Sequence, residues 1–234
     1  MRPAARTTLT ALCAGAACWP ALSSAQPPGE ATTPATSYVR RLEGALLLQT
    51  LNAELLSHDS ASVTLQHWCE AHHLASSARI TAERVHEADK PITDIQRQRL
   101  RIGAADAVRY RRVRLRCGTV TLSEADNWYV PARLTPQMNQ LLESTDTPFG
   151  IVVQPLHFQR HTIAAEVLWQ ALPEGWEMTP PAAADAVSEP CFPAQVLQHR
   201  ALLTLPDGTP FSEVVETYTS SVLSVPRLAP AHSC

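Results

Sequence analysis

Residues 112–118, RVRLRCG, contain the pattern that decides the fold, because apolar and charged side chains alternate along them. Val113, Leu115 and Cys117 fall on one side of an extended chain, and the arginines between them fall on the other. The glycine that follows favours a turn, so residues 119–130 would return as the partner strand. This stretch predicts an antiparallel hairpin with one face on the core.

Helices are predicted mainly before this hairpin, and strands after it. Leucines recur at helical spacing within residues 42–56, and a second short helix is expected over residues 62–73. A later helix, 136–144, would begin with proline after Thr135 as its N-cap. Further strands are predicted over 149–153, 156–169, 196–205 and 211–225, with a long surface loop over 172–193. We therefore expect an α+β fold, an antiparallel sheet of about six strands with helices packed on one side.

The first residues have the composition of an export signal. Two arginines precede a weakly apolar run over residues 9–22, and small residues precede a predicted cleavage after Ala25. Residues 26–37 are rich in Pro, Thr, Ser and Ala, which indicates a disordered leader. We expect a signal peptide over 1–25 and one domain over 38–234, in a periplasmic or secreted protein. If the first segment is not an export signal, the protein would be cytoplasmic.

The charge balance excludes several classes of partner. Nineteen Lys and Arg against 22 Asp and Glu give a net charge of −3, so no basic field would attract nucleic acid or an anionic membrane. After the signal, no stretch reaches the roughly 18 consecutive apolar residues that a membrane span needs. We expect a monomer that binds neither nucleic acid nor a membrane.

Four cysteines remain after the signal: Cys69, Cys117, Cys191 and Cys234. In an oxidising compartment they could form two disulfides, and four free thiols are the alternative. If disulfides form, we expect Cys191 to pair with Cys234, because both lie in segments that can reach bonding geometry without distorting a sheet.

Motifs for metal or cofactor chemistry are weak. His67, Glu70, His72 and His73 lie on one predicted short helix, and two of them could share a face as metal ligands. Their spacing matches no zinc motif and favours a solvated helix surface. There is no Gly-x-Ser-x-Gly sequence and no glycine-rich phosphate loop. We expect neither a metal nor an organic cofactor.

Several short motifs resemble, in the same order, those of chorismate pyruvate-lyase and its superfamily, which includes ligand-sensing domains of transcription regulators. Asp59-Ser60-Ala61-Ser62 resembles the family's Asp-Ser-Met-Thr turn, with Ala61 in place of methionine. Arg112, five residues before Cys117, resembles an Arg-x-x-x-x-Cys strand whose arginine binds the ring carboxylate. Thr147-Pro148-Phe149-Gly150 is similar to a Thr-Pro-Leu-Gly segment whose backbone contributes to the pocket.

Later motifs extend the resemblance towards a catalytic carboxylate. Val130-Pro131 ends a strand as in the family, but Asn127 stands where the family has an arginine. Gly208-Thr209-Pro210 and the strand through Glu216 resemble the Gly-x-Pro turn and the Glu-x-Phe strand that supplies the carboxylate. The spacing is one residue longer here, so Glu213 is an alternative. On a regular strand these two glutamates point to opposite faces, so at most one shares the pocket.

Arg160 also resembles an arginine of the family, in a similar strand, and would extend the anion site. With His157 and His161, it is explained equally well by an outer polar face of the sheet. Arg112 has the same kind of alternative, because the arginines of its strand could form a solvated face opposite the core.

The resemblance implies a carbon–oxygen lyase that eliminates pyruvate from chorismate to give 4-hydroxybenzoate. Arg112 would hold the ring carboxylate bidentately, and Glu216 or Glu213 would help to move the proton. The other substrate-binding residues implied are Ala61, Asn127, Phe149 and Arg160. The alternative is a non-catalytic periplasmic binding module for a small aromatic carboxylate, because chorismate is made in the cytoplasm and an exported lyase would rarely meet it.

Overall fold

A computed structural model describes residues 34–86, 89–178, 191–225 and 228. The helices in these residues are α1 (Pro34–Ser57), α2 (Ala61–Ala71), α3 (Asp94–Leu100), α4 (Pro136–Ser144) and α5 (Phe149–Val152). The strands are β1 (Ile80–Arg84), β2 (Arg109–Cys117), β3 (Val120–Tyr129), β4 (Gln159–Val167), β5 (Gln195–Thr204) and β6 (Pro210–Thr219). None of these helices is long and apolar enough to cross a membrane.

The six strands form one antiparallel sheet in the order β1-β2-β3-β6-β5-β4. The protein therefore has the α+β fold with a six-stranded antiparallel sheet that the sequence predicts. Strands β3 and β6 lie at the centre, so residues of these two strands that share a face are placed side by side. Strands β1 and β4 form the two edges.

The predicted hairpin is present as β2 and β3. Val113, Leu115 and Cys117 are buried on one face of the sheet, as their alternation indicates. Gly118 turns the chain with a φ of +57°. Residues that have a Cβ adopt this backbone conformation only at a cost in free energy. The register pairs Arg111 with Asn127, which brings two polar side chains next to each other on the buried face.

The main core lies between this face of the sheet and the first two helices. Leu51 and Leu55 of α1 and Leu65 and Trp68 of α2 are almost completely buried, together with Tyr218 of β6. Each large apolar side chain removed from water contributes about 1.5–3 kcal/mol to folding. The short helix α3 contacts β6 from the other side of the sheet, where Arg99 donates to Glu213.

Several predicted element bounds are wrong. Residues 149–152 form helix α5 instead of the predicted strand, because the chain enters a helical turn directly after Pro148. The last strand ends at Thr219, and β1 and α3 are additional elements. Helix α1 begins at Pro34, so residues 34–37 are not part of a disordered leader. The predicted signal, residues 26–33, and residues 179–190 of the predicted loop lie outside the described residues.

A disulfide joins Cys69 of α2 to Cys117 of β2, with Cα atoms 6.4 Å apart. This pairing is not predictable from the sequence, because helical and strand residues 48 positions apart give no local signal of their contact. Cys191 is also disulfide-bonded. Cys234 lies outside the described residues, so its pairing with Cys191 stays a prediction. The alternative of four free thiols is wrong.

Removing the Cys69–Cys117 disulfide should destabilise the protein. For a closed loop of this length, the chain-entropy model gives about 4 kcal/mol. We expect Cys69→Ala/Cys117→Ala to unfold at a lower urea concentration than the oxidised wild type, and reduction of the wild type to shift unfolding in the same direction. Unchanged urea midpoints in both comparisons would contradict the disulfide's contribution.

A polar contact between α1 and the sheet lies inside this core. His199 of β5 is fully buried, and its Nε2 is 2.8 Å from Oδ1 of Asn52. Asn52 uses its amide nitrogen to donate to Gln49, so its oxygen faces the histidine and the imidazole proton belongs on Nε2. Burial lowers the pKa of His199 to about 4, which keeps the imidazole neutral.

This buried histidine should make folding pH-dependent. The pKa of His199 is about 4 in the folded state and about 6.5 in an unfolded chain. Between these values only the unfolded chain takes up the proton, so stability falls as the pH is lowered. The expected loss between pH 7 and pH 5 is about 2 kcal/mol. In urea titrations, His199→Gln should lose this part of the pH dependence; an identical dependence in both proteins would refute the assignment.

Candidate functional site

A small, partly open cavity lies between the buried face of the sheet, the start of α2, helix α5 and the start of β4. Its volume is about 40 Å³, room for roughly three water molecules. Most of the wall is apolar, and two arginines and one glutamate point into it. The cavity is lined by Asp59, Ser60, Ala61, Ser62, Arg111, Val113, Leu115, Ala125, Asn127, Phe149, Gly150, Phe158, Arg160, Leu203, Val214 and Glu216.

Arg111 is the most unusual residue of this wall. Its side chain is on the buried face of β2, and the residue is only 3% exposed. One guanidinium nitrogen donates to the carbonyl oxygen of Thr147 at 3.3 Å, while Nε and Nη1 find no hydrogen-bond partner among the described residues. Burial, together with the like charge of Arg84, lowers the pKa of Arg111 to about 10. Burying a cation without a counter-ion costs free energy. An anion that bound to this guanidinium would offset that cost.

Arg112, the predicted carboxylate-binding arginine, faces away from the cavity. Its Nη2 donates to Glu124 at 3.0 Å, and its Nε is 3.9 Å from Asp126. Residues an odd number of positions apart on a strand point to opposite faces, so an arginine five residues before Cys117 cannot share its face. The prediction of Arg112 as a pocket residue is wrong, and Arg111 takes that place. The alternation with Val113 would have identified it.

Glu216 and Arg160 form a buried ion pair inside the cavity. Arg160 Nη2 is 2.5 Å from Glu216 Oε2, and both side chains are less than a tenth exposed. Tyr218 donates its hydroxyl to the same carboxylate oxygen at 3.2 Å. Desolvation lowers the pKa of Arg160, but the nearby charge of Glu216 outweighs it and raises that pKa overall. The same oxygen of Glu216 is therefore occupied twice, by Arg160 and by Tyr218.

Glu213 lies on the opposite face of the sheet. It is fully buried, and its Oε1 accepts from Arg99 at 3.2 Å and from Arg200 at 2.9 Å. This carboxylate helps to hold α3 against β6. The alternative that placed Glu213 in the pocket is wrong, and the predicted opposition of the two glutamates is confirmed.

The other predicted substrate-binding positions are brought together at the cavity. Ala61, Asn127 and Phe149 line it with Arg160. Asn127 accepts from Ser212 at 2.6 Å, so its amide group is held in place on the sheet. Phe149 packs against Tyr129 with ring centroids 5.5 Å apart and contributes an aromatic wall.

The start of α2 adds a second source of positive potential. Ser60 is the N-cap, and its side chain accepts from the backbone of Val63. The first backbone N–H groups of a helix have no intrahelical partner and favour negative charge nearby. Ala61 and Ser62 line the cavity. Gly150 lets α5 approach this turn, because a Cβ there would lie 2.6 Å from Ser60 Oγ.

The histidines of α2 do not gather into a metal site. Within the described residues, no group of three or more His, Cys, Asp or Glu side chains could hold a metal ion. His72 packs instead against Trp68, with ring centroids 4.0 Å apart.

No family model matches the chain. Among solved structures, the effector domain of PhnF from Mycobacterium smegmatis has a TM-score of 0.42 and 11% identity, covering 69% of this chain and 88% of that one. A GntR-family transcriptional regulator from Enterococcus faecalis has a TM-score of 0.38 and 11% identity, covering 60% and 94%. The possible transcriptional regulator YydK from Bacillus subtilis has a TM-score of 0.37 and 13% identity, covering 62% of this chain and 59% of YydK.

One curated protein is much more similar in sequence. The uncharacterized protein y4mC of Sinorhizobium fredii is 49% identical over 187 residues, which cover 80% of this chain and 79% of y4mC. The chain therefore belongs to the same protein family as y4mC.

Proposed function

We propose that the protein binds a small aromatic carboxylate in this cavity, with Arg111 as the counter-ion of the carboxylate. The observation that carries the proposal is the buried guanidinium with two unpaired nitrogens at an apolar cavity. A carboxylate accepts two parallel hydrogen bonds from a guanidinium, and such charge-assisted bonds are roughly twice as strong as neutral ones. The positive potential at the start of α2 favours the same negative charge.

The remaining wall suits an aromatic ring that carries a polar group at its far end. Phe149, Phe158 and Val214 offer apolar contact, and Glu216 offers a carboxylate oxygen to a hydroxyl group. The cavity of about 40 Å³ is too small for a ring unless side chains move. Binding would therefore open the cavity, and part of the binding energy would be used for that rearrangement.

A second candidate function is the lyase reaction, and the ion pair of Arg160 and Glu216 is the observation that favours it. In this reaction Glu216 would take the ring proton from the hydroxyl-bearing carbon of chorismate. The bond between the ring and the enolpyruvyl ether oxygen breaks, and its electron pair leaves on that oxygen. Arg160 would stabilise the developing charge, and the enol takes up a proton to become pyruvate. The ring becomes 4-hydroxybenzoate.

We also propose that the protein folds in an oxidising compartment such as the periplasm. The support is the disulfide between Cys69 and Cys117, since such bonds are rare in reducing cytosol. Chorismate is made in the cytoplasm, so an exported protein would rarely meet it. For this reason we favour ligand binding over the lyase reaction as the function.

The binding proposal predicts opposite effects on stability and affinity at one position. Arg111→Met replaces the guanidinium with an apolar side chain of similar length. It should weaken binding of 4-hydroxybenzoate by at least about tenfold, because the carboxylate loses its counter-ion. The same change should raise the free energy of unfolding of the ligand-free protein, because an unpaired buried charge is removed. Calorimetric titration and urea unfolding measure the two effects.

Arg112→Met is the matched control, since it changes the adjacent arginine on the opposite face. Its affinity for 4-hydroxybenzoate should equal that of the wild type. 4-Hydroxybenzamide, which lacks the carboxylate charge, should bind weakly to all three proteins. Equal affinities of the Arg111 and Arg112 variants would refute the proposed anion site.

The lyase candidate predicts release of pyruvate from chorismate. Glu216→Gln should lower kcat by about 10²–10⁴-fold, the usual contribution of a general acid or base. Glu213→Gln is the matched control, because this glutamate lies on the other face of the sheet. Coupled assay of pyruvate measures both variants. If the wild type binds 4-hydroxybenzoate and releases no pyruvate, the protein is a binding module and the lyase candidate is rejected.

A further inference from the structure

The two edge strands of the sheet differ in whether their outward-facing backbone groups are hydrogen-bonded. At β1, the amide of Ala82 donates to the carbonyl oxygen of Asp146 at 2.6 Å, so this edge is covered. At β4, the amide of Arg160 is bonded to Asp59, but no described residue forms a strand beside β4. Long uncovered edges are sites where another strand can pair.

The β4 edge is also unusually apolar and exposed. Three of the ten exposed large apolar side chains in the described part of the chain lie within residues 163–168. These are Ile163, Val167 and Leu168, with exposed fractions of 38%, 45% and 41%. Val167 borders a groove that also contains Leu46 and Trp176, which are exposed as well. Apolar surface concentrated in this way marks contact sites on soluble proteins.

Backbone directions show which amides of β4 are available. The amide of Arg160 points outward to Asp59, whereas the amide of Leu168 points inward to Val196. Amide directions alternate along an antiparallel strand. Counting back from Leu168, the amides of Val167 and Ala165 point outward, away from β5. These groups are in position to bond to a further strand.

We propose that two copies of the chain associate through β4, with the two β4 strands antiparallel about a two-fold axis between Ile163 and Ala164. In this arrangement His161 lies opposite Glu166 of the second copy, and the reciprocal pair forms by symmetry. Two sheets of six strands join into one of twelve. This dimer differs from the monomer that the sequence predicts.

The register of β4 makes this pairing self-complementary. His161 is opposite Leu202 and Glu166 is opposite Gln198, which lie four residues apart on β5 and therefore share a face. The irregularity between Thr162 and Ala164 shifts the alternation, so that His161 and Glu166 point to the same side of the sheet. His161 Nε2 is 3.0 Å from Thr204 Oγ1 within its own chain, so an antiparallel second copy sets the other ring nitrogen of each His161 against a carboxylate. In a parallel arrangement, Glu166 of one copy would lie opposite Glu166 of the other.

Sedimentation equilibrium of the purified protein tests the arrangement. The wild type should be dimeric at about 100 μM. Glu166→Lys places a positive charge opposite His161 in both symmetry-related pairs and should raise the dimer dissociation constant about tenfold. Glu70→Lys is the matched control, because it reverses the charge of an exposed glutamate on α2, away from the edge. It should leave the dissociation constant unchanged.

A charge exchange separates this arrangement from others. His161→Glu alone should weaken the dimer, because it faces Glu166, and His161→Glu combined with Glu166→Lys should restore it. Circular dichroism of each variant checks that it is folded. A monomeric wild type, a dimer insensitive to Glu166→Lys, or a double variant that stays monomeric would overturn the proposal. A monomer whose Ala165 and Val167 amides resist hydrogen exchange would show that the chain itself covers this edge.

Discussion

The guanidinium of Arg111 is the group on which the proposed function depends. It lies on the buried face of the sheet, and two of its nitrogens have no hydrogen-bond partner within the part of the chain that the structure describes. Arg160 lines the same cavity, but Glu216 neutralises it. The two arginines therefore differ in what they can do. Arg160 already has a counter-ion in Glu216, whereas Arg111 would gain one only when an anion enters. Burying the Arg111 guanidinium lowers the stability of the ligand-free protein, and such a loss of stability is typical of binding sites.

The sheet explains why these groups meet. Arg111 is opposite Asn127 on β3, and Asn127 is opposite Val214 on β6, so one row of the sheet crosses the cavity. Glu216 is two residues further along β6 and opposite Ala125, whose small side chain leaves space above the sheet. The disulfide ties α2 to β2, so the start of α2 and the strand of Arg111 are held together. The cavity is consequently built from elements that cannot separate easily.

The alternation of side chains predicted the fold, whereas the motif spacing of the resemblance pointed to an arginine on the wrong face. Val113, Leu115 and Cys117 indicated a half-buried strand, and the six-stranded antiparallel sheet follows from such patterns. Extended back by two residues, the same alternation places Arg111 on the core face, although charged residues usually prefer water. The motif spacing of the resemblance pointed instead to Arg112. The rule of opposite faces predicted only that at most one of Glu213 and Glu216 shares the pocket, and in the structure Glu216 is the one that lines the cavity.

Contacts between distant segments could not be read from local patterns. The pairing of Cys69 with Cys117 and the ion pair of Arg160 with Glu216 each depend on how α2 and β4 pack against the sheet. The strand predicted at residues 149–153 failed for a related reason. Three β-branched residues favour extended structure, but Pro148 starts a helical turn there and Gly150 fits against Ser60. Tertiary contact overrode local preference where the cavity is formed.

The position of β4 connects the cavity to the edge of the sheet. Arg160 belongs to this strand, its guanidinium faces Glu216 inside the cavity, and its amide bonds to Asp59 beside α2. A ring that enters the cavity must displace side chains around this ion pair, so β4 is the strand on which such a displacement acts directly. A second copy paired along β4 would restrict the same movement. Association and ligand binding would then be linked through one strand, and by thermodynamic reciprocity each would change the affinity of the other equally.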